Sequence, residues 1–333
     1  MSDKFLRFAR GLILGLATGW ALFQQLWVIK QLLRKSVQRS LAANPNQAEK
    51  GILFESEEEY DHFTVIHRVE DGIERIVYLP KQRRFDTPVL MQHGMWHAAW
   101  CWHLWQELLA EWGWESHAVS LPGHGKSPTQ RPVKLCTLDY YLAFLKVEID
   151  RLPRRPILMG HSMGGALAQW YLKHVDDLPA VVLVAPWVSH SVLRDGLVRY
   201  ARLDPLGAVL TSLTWSATPW VRNPYRAAKA LISDEAVYSP EELYARLDPE
   251  SALILYQHNP PFWSPARNVQ TPMLWLAAEK DALIGESSQR SSAAHYEADY
   301  VVCERAGHNL MMEHNYRKTA EVIHEWLVQQ GIE

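Results

Sequence analysis

Ser162 stands inside Gly160-His161-Ser162-Met163-Gly164, a G-x-S-x-G spacing with a third glycine, Gly165, directly after it. The apolar run Pro156-Ile157-Leu158-Met159 before it reads as a short buried strand. Ala166-Leu167-Ala168-Gln169-Trp170 after it opens a helical pattern. A serine at so sharp a strand-to-helix turn has its hydroxyl thrust outward, and the helix N-terminus beneath it favours developing negative charge. A side chain at 160 or 164 would collide with the neighbouring turn, and Gly165 lets the helix pack closely on the sheet. A glycine-rich turn with an incidental serine is the plainer reading. The strand before and the helix after favour a nucleophile.

A serine hydroxyl needs a base, and the base needs a carboxylate to orient it. Fifteen histidines compete. Chemistry on a sheet of alternating strands and helices gathers beyond the carboxyl ends of the strands. Asp281 follows the apolar run Thr271–Ala278, and His308 follows Asp299–Cys303, with Gly307 giving the loop freedom to aim the ring. The order Ser162, Asp281, His308 is the one this type of triad requires. Glu279 is the reserve acid. His314 and His324 fall in or near the terminal helix, His295 precedes a strand, and His161 points elsewhere in a tight elbow. An oxyanion hole needs two N–H donors. Met163, after the nucleophile, offers one. Met95 offers the other, with Trp96 as the substitute, because Gly94 lets that backbone approach closely.

These residues need a scaffold, and the pattern supplies one. Strands are predicted at His62–Val69 and Ile73–Leu79, joined at Asp71-Gly72, then at Pro88–Gln92, Trp114–Leu121, Ala180–Ala185, Thr271–Ala278 and Asp299–Cys303. Helices are predicted near Ala99–Trp112, Leu138–Leu152 and Arg317–Gln330. Short apolar strands alternating with helices predict an α/β fold with a mostly parallel central sheet and helices on both faces.

The residues "QHGMW" at 92–96, "LPGHGKS" at 121–127, "GHSMGG" at 160–165, "EKDALI" at 279–284 and "AGH" at 306–308 resemble the α/β-hydrolase fold superfamily. "HGMWHAAWCW" is similar to the segment of small esterases and hydroxynitrile-lyase-like members. The resemblance covers the chain from about residue 60 to the end. Many members carry Asp before the PGHG turn, where Ser120-Leu121 stand here; no catalytic role is touched. Members with an Asp nucleophile are disfavoured by Ser162. The resemblance implies a core at 59–186 and 270–333 and a helical cap over 187–269. That cap segment is rich in tryptophan and tyrosine, and Trp96, Trp187 and Trp215 are expected to contact a lipophilic substrate. The expected reaction is cleavage of a lipophilic carboxylic ester through an acyl-enzyme. Alternatives are an acyltransferase or C–C bond hydrolase on the same scaffold, and a membrane-tethered binding protein without catalysis.

The 333-residue chain is 48% hydrophobic with a net charge of −3, so it has no basic excess for nucleic acid. Cys101, Cys136 and Cys303 form neither a disulfide framework nor a zinc pattern, and no metal or cofactor is expected. Gly11–Ile29 carries no charge and, as a helix, spans about 28 Å, near the thickness of a bilayer core. Gly11, Gly15 and Gly19 suit helix packing in lipid. Residues 1–40 are therefore expected to be a hydrophobic membrane-anchor helix and 41–58 a polar linker. Lys4, Arg7 and Arg10 before the run, against Lys30, Arg34, Lys35 and Arg39 after it, place the catalytic domain on the cytoplasmic side.

Overall fold

The computed structural model describes residues 37–332 together with 19, 23, 26, 27, 30 and 32. A short helix α1 (Val37–Ala42) leads to three antiparallel strands, β1 (Ile52–Glu59), β2 (Phe63–Glu70) and β3 (Ile73–Pro80). The chain then alternates: β4 (Val89–Gln92), α2 (His103–Glu111), β5 (Ser116–Ser120), α3 (Leu138–Arg151), β6 (Ile157–His161), α4 (Met163–His174) and β7 (Val181–Val184). Five helices follow: α5 (Val192–Leu203), α6 (Pro205–Thr214), α7 (Pro224–Leu231), α8 (Pro240–Tyr244) and α9 (Leu253–Gln257). β8 (Met273–Ala278), α10 (Glu286–His295), β9 (Asp299–Cys303) and α11 (Tyr316–Gln329) complete the chain.

Among the described residues the strands form one sheet in the order β1-β2-β3-β5-β4-β6-β7-β8-β9. β3 pairs antiparallel with β5, and every pairing from β5 onward is parallel. β4, β6, β7 and β8 are buried at every residue, which is why they read as unbroken apolar runs rather than alternating ones. Helices cover both faces, α2 packed with α11 and α3 with α4. α3 buries Leu138, Tyr141, Leu142, Leu145 and Ile149, the 3.6-residue stripe of a core-facing helix.

Two expectations need correction. Residues 52–59 are strand β1, not linker; the strand pairs along one side only and leaves Ile52 and Leu53 more than half exposed, so burial gives it no readable period. The expected membrane anchor, and with it the membrane-bound localisation facing the cytoplasm, is not supported: no helix among the described residues is long and apolar enough to cross a membrane. Most of Gly11–Ile29 lies outside the described residues. At its end, Trp27 meets Trp215 edge-on with ring centres 4.5 Å apart, and Leu32 is buried against Leu253. Phe23 and Leu26, on the same run, are more than half exposed.

Candidate active site

Gln92 and Gly160 are register partners at the carboxyl ends of the adjacent parallel strands β4 and β6. Beyond β6 the chain turns through Ser162 with φ 51° and ψ −112°, a left-handed conformation that costs a non-glycine residue strain. Neighbours hold it there. Its N–H donates to Val184 O at 3.0 Å, and its carbonyl accepts from Ala166 N and Trp187 N at 3.1 and 3.2 Å. The flanking glycines are required by approach. A Cβ on Gly160 would stand 2.4 Å from the Gly164 carbonyl oxygen, and one on Gly164 only 2.2 Å from that of Gln92.

Three predicted residues come together. Ser162 Oγ lies 2.9 Å from His308 Nε2, and His308 Nδ1 lies 2.8 Å from Asp281 Oδ2. The other Asp281 oxygen accepts from Leu283 N and Ile284 N at 2.8 and 3.0 Å, which fixes the carboxylate. All three side chains are nearly buried. With Asp281 accepting at Nδ1, the ring carries its proton there and presents a lone pair at Nε2 to the serine. Glu279 is spent elsewhere, accepting from Arg305 N. Gly307 is needed for space rather than freedom: a Cβ there would stand 2.7 Å from the Ile232–Ser233 backbone.

The loop after β4 approaches from the other side. A Cβ on Gly94 would stand 2.9 Å from Ser162 Cβ. The Met95 N–H has no acceptor among the described residues. Met163 is the first residue of α4, where helical N–H groups lack an intrahelical acceptor. Trp96 takes a left-handed φ of 64°, and its carbonyl accepts from Asp248 N at 2.8 Å. The Asp248 carboxylate in turn accepts from Gly125 N at 2.7 Å, so one segment between α8 and α9 is bonded to both this loop and the PGHG turn.

The expected substrate contacts separate. Trp96 is buried, with its ring 6.5 Å from that of Trp220, which stacks on Tyr200 at 3.9 Å. Burial and the nearby Asp281 carboxylate push the Tyr200 hydroxyl up, so this aromatic row reaches from the loop after β4 toward the acid. Trp187 is buried with its carbonyl accepting from Gln169 Nε2 and its ring edge-on to His258. Trp215 is packed in the cluster of Trp27, Leu32, Leu253, Tyr256 and Phe262, apart from this row. Sequence reasoning named Tyr200 and Trp220 among the cap aromatics without singling them out as substrate contacts, and it missed Asp248. It also missed His97 and Asn309, whose one visible signal was their closeness to Met95 and His308.

A family profile described as "Alpha/beta hydrolase family" matches residues 89–322. The chain is 32% identical over 119 residues to norfluorocurarine synthase 1 of Strychnos nux-vomica, covering 35% of this chain and 41% of that one. It is 33% identical over 104 residues to methylesterase 3 of Arabidopsis thaliana, covering 30% and 38%. These matches span about two fifths of each curated relative. Among solved structures, the monoacylglycerol lipase of Paleococcus ferrophilus superposes with a TM-score of 0.57 at 21% identity, covering 78% of this chain and 99% of that one. With the profile extending over more than two thirds of its length, the chain belongs to the alpha/beta hydrolase family.

Proposed function

We propose that the protein is a serine hydrolase that cleaves a lipophilic carboxylic ester through an acyl-enzyme. The observation that carries this reading is the unbroken hydrogen-bonded row Ser162–His308–Asp281, with its serine strained at a helix N-terminus. Ser162 Oγ attacks the ester carbonyl while His308 Nε2 takes its proton. Asp281 holds the ring in the required tautomer and stabilises the imidazolium. The N–H groups of Met95 and Met163 receive the oxyanion. His308 then protonates the leaving alcohol, and a water activated by the same ring releases the acid. Residues 187–269 act as the cap over a core of 59–186 and 270–333. Trp96 of the core, with Trp220 and Tyr200 of the cap, forms an aromatic row between the two that suits an apolar acyl or alcohol group. A small-molecule ester also agrees with the names of the relatives, a methylesterase and a monoacylglycerol lipase.

The test is a series of p-nitrophenyl esters of graded chain length, with fluorophosphonate labelling. The wild type should label at Ser162 and favour longer over acetate esters, and Ser162→Ala should lose about 10⁶ in kcat. Wild-type turnover in Ser162→Ala would refute the mechanism. Full labelling without turnover on any ester would leave acyl transfer as the reaction.

A further inference from the structure

Two fully buried polar side chains, His97 and Asn309, join the loop that carries Met95 to the loop that carries His308. His97 Nδ1 lies 2.7 Å from the Met95 carbonyl oxygen. His97 Nε2 lies 3.0 Å from Asn309 Nδ2. The chemistry fixes the direction of both bonds. A carbonyl oxygen only accepts, so Nδ1 must carry a proton. Burial pushes this imidazole down to about 4, so at neutral pH it has one proton and Nε2 is a bare acceptor. The group facing Nε2 must then be a donor, which orients the Asn309 amide with its NH₂ toward the ring. Asn309 is itself tied down, donating its backbone N–H to Leu231 O at 2.8 Å.

These bonds act on the peptide units that set the direction of the Met95 N–H. That N–H belongs to the Gly94–Met95 peptide. The carbonyl of this peptide accepts from His93 Nδ1 at 2.8 Å and from the His97 backbone N–H at 3.3 Å. The next peptide is held through its own carbonyl by the His97 ring. With both planes flanking the Met95 Cα fixed, its N–H has no freedom to swing. The far end of the same chain of bonds is the residue after His308.

We propose that His97 and Asn309 are positioning residues that aim the Met95 N–H at the oxyanion and hold it in register with His308. The proposal rests on the ester-hydrolase reading above. It adds that the oxyanion donor and the base are placed by one bonded unit rather than by two independent loops. A loop free to turn by a few tenths of an ångström would still bind ester in the ground state. It would stabilise the tetrahedral oxyanion less, because such stabilisation depends on donors already aimed at the charge.

The experiment compares His97→Leu, His97→Asn and Asn309→Ala. His97→Leu fills the space of the ring without its bonds. His97→Asn can place an NH₂ where Nδ1 stood. His97→Leu should lower kcat on a p-nitrophenyl ester by about 10–100-fold with KM changed less than about twofold, since outright loss of one oxyanion donor costs about 10²–10³. Affinity for a trifluoromethyl ketone, whose serine adduct carries an oxyanion, should fall by the same factor as kcat/KM. The acid limb of the pH profile should stay in place, because His308 keeps Asp281. His97→Asn should recover most of the loss. If His97→Leu fails to fold, Asn309→Ala decides: it should lose about 3–10-fold in kcat with the acid limb unmoved. A folded His97→Leu or Asn309→Ala with wild-type kcat would overturn the proposal. So would equal losses in His97→Leu and His97→Asn, which would make the ring mere filling. Turnover that survives Ser162→Ala would instead refute the underlying reading, whatever happens at 97.

Discussion

Acid should unfold this protein well before most carboxylates are protonated. His93, His97, His161 and His258 are each at most 1% exposed. Each donates from one ring nitrogen to a carbonyl: His93 to Gly94, His97 to Met95, His161 to His308 and His258 to Val188. In three of them the second nitrogen faces a donor, the Leu121 N–H, the Asn309 amide or the Trp170 indole N–H. A second proton there would meet another hydrogen. Burial accordingly pushes His97 down to about 4 and His258 to about 3, and drives His93 and His161 well below the ordinary value. Unfolded histidine titrates near pH 6.5. A folded value below the unfolded one means the unfolded chain takes up protons first as pH falls. Stability is therefore whole above about pH 6.5 and is lost on the way down to about 4. At pH 5 the rings of His97 and His258 each cost about 2 kcal/mol, and His93 and His161 deepen the loss in the same direction, against the roughly 5–15 kcal/mol that a domain possesses. The opposite sign belongs to His124. Burial lowers it, but the Glu250 carboxylate 3.3 Å away, together with Asp248 and the Pro122 backbone, raises it on balance, which offsets part of the loss. Urea titrations followed by tryptophan fluorescence at pH 7.5, 6.5, 5.5 and 5.0 should show stability falling by more than about 4 kcal/mol. Stability at pH 5.0 within about 1 kcal/mol of that at pH 7.5 would refute the reasoning.

Asp281→Asn should lower kcat on p-nitrophenyl acetate about 10⁴-fold while leaving the melting temperature near wild type, because only the tautomer of His308 is disturbed. Gly164→Ala puts a methyl 2.2 Å from the Gln92 carbonyl oxygen and 2.8 Å from that of His93. It should cost about 3 kcal/mol or more, seen as insoluble protein or a melting temperature several degrees lower. Arg75 and Glu148 form a buried pair through Nε at 2.6 Å and Nη2 at 2.7 Å. Glu148→Ala leaves the guanidinium only the Glu70 and Ile73 carbonyls and the Glu70 carboxylate 3.8 Å away, and should cost about 3 kcal/mol, most of which Arg75→Met with Glu148→Leu should recover in the same thermal assay.

The grouping of Ser162, Asp281 and His308 was legible because its members obey local rules. A serine between glycines at a strand-to-helix junction, and an acid and a histidine each just past an apolar strand, need no knowledge of distant contacts. The parallel core was legible for a similar reason, since strands buried on both faces leave short apolar runs. Trp215 illustrates what was hidden. Its size and its place in an aromatic segment are equally compatible with a substrate wall and with the cluster it joins at Trp27. Trp27, at the end of the apolar run Gly11–Ile29, carried the same ambiguity, because hydropathy does not say whether lipid or a protein ring such as that of Trp215 meets it. The His97–Asn309 bond joins residues 212 positions apart, and no property of either residue type announces the other. Gly307 was noticed for the wrong reason: flexibility was inferred, whereas the approach of the Ile232–Ser233 backbone demands its bareness.

Strand β1 has a bearing on how copies of this protein treat one another. Among the described residues it forms one rim of the sheet, and no described strand pairs with the outer side of its backbone, where N–H and C=O groups face any extended chain. The sequence along that rim, Ile-Leu-Phe-Glu-Ser-Glu-Glu-Glu, begins as an adhesive strand and ends as a repulsive one. Glu55, Glu57, Glu58 and Glu59 place like charges on both faces, so a second β1 laid alongside in parallel register would bring carboxylates opposite carboxylates. Arg68 pairs with Glu55 and Lys81 with Glu59, which leaves Glu57 and Glu58 without an ion pair among the described residues, toward the carboxyl end of the strand. Such a guard acts over the Debye length, about 8 Å at physiological ionic strength and about 3 Å in molar salt. The rim is thus a surface on which a charge-for-threonine exchange, invisible to the active site and nearly neutral for folding, would change the protein's colloidal behaviour.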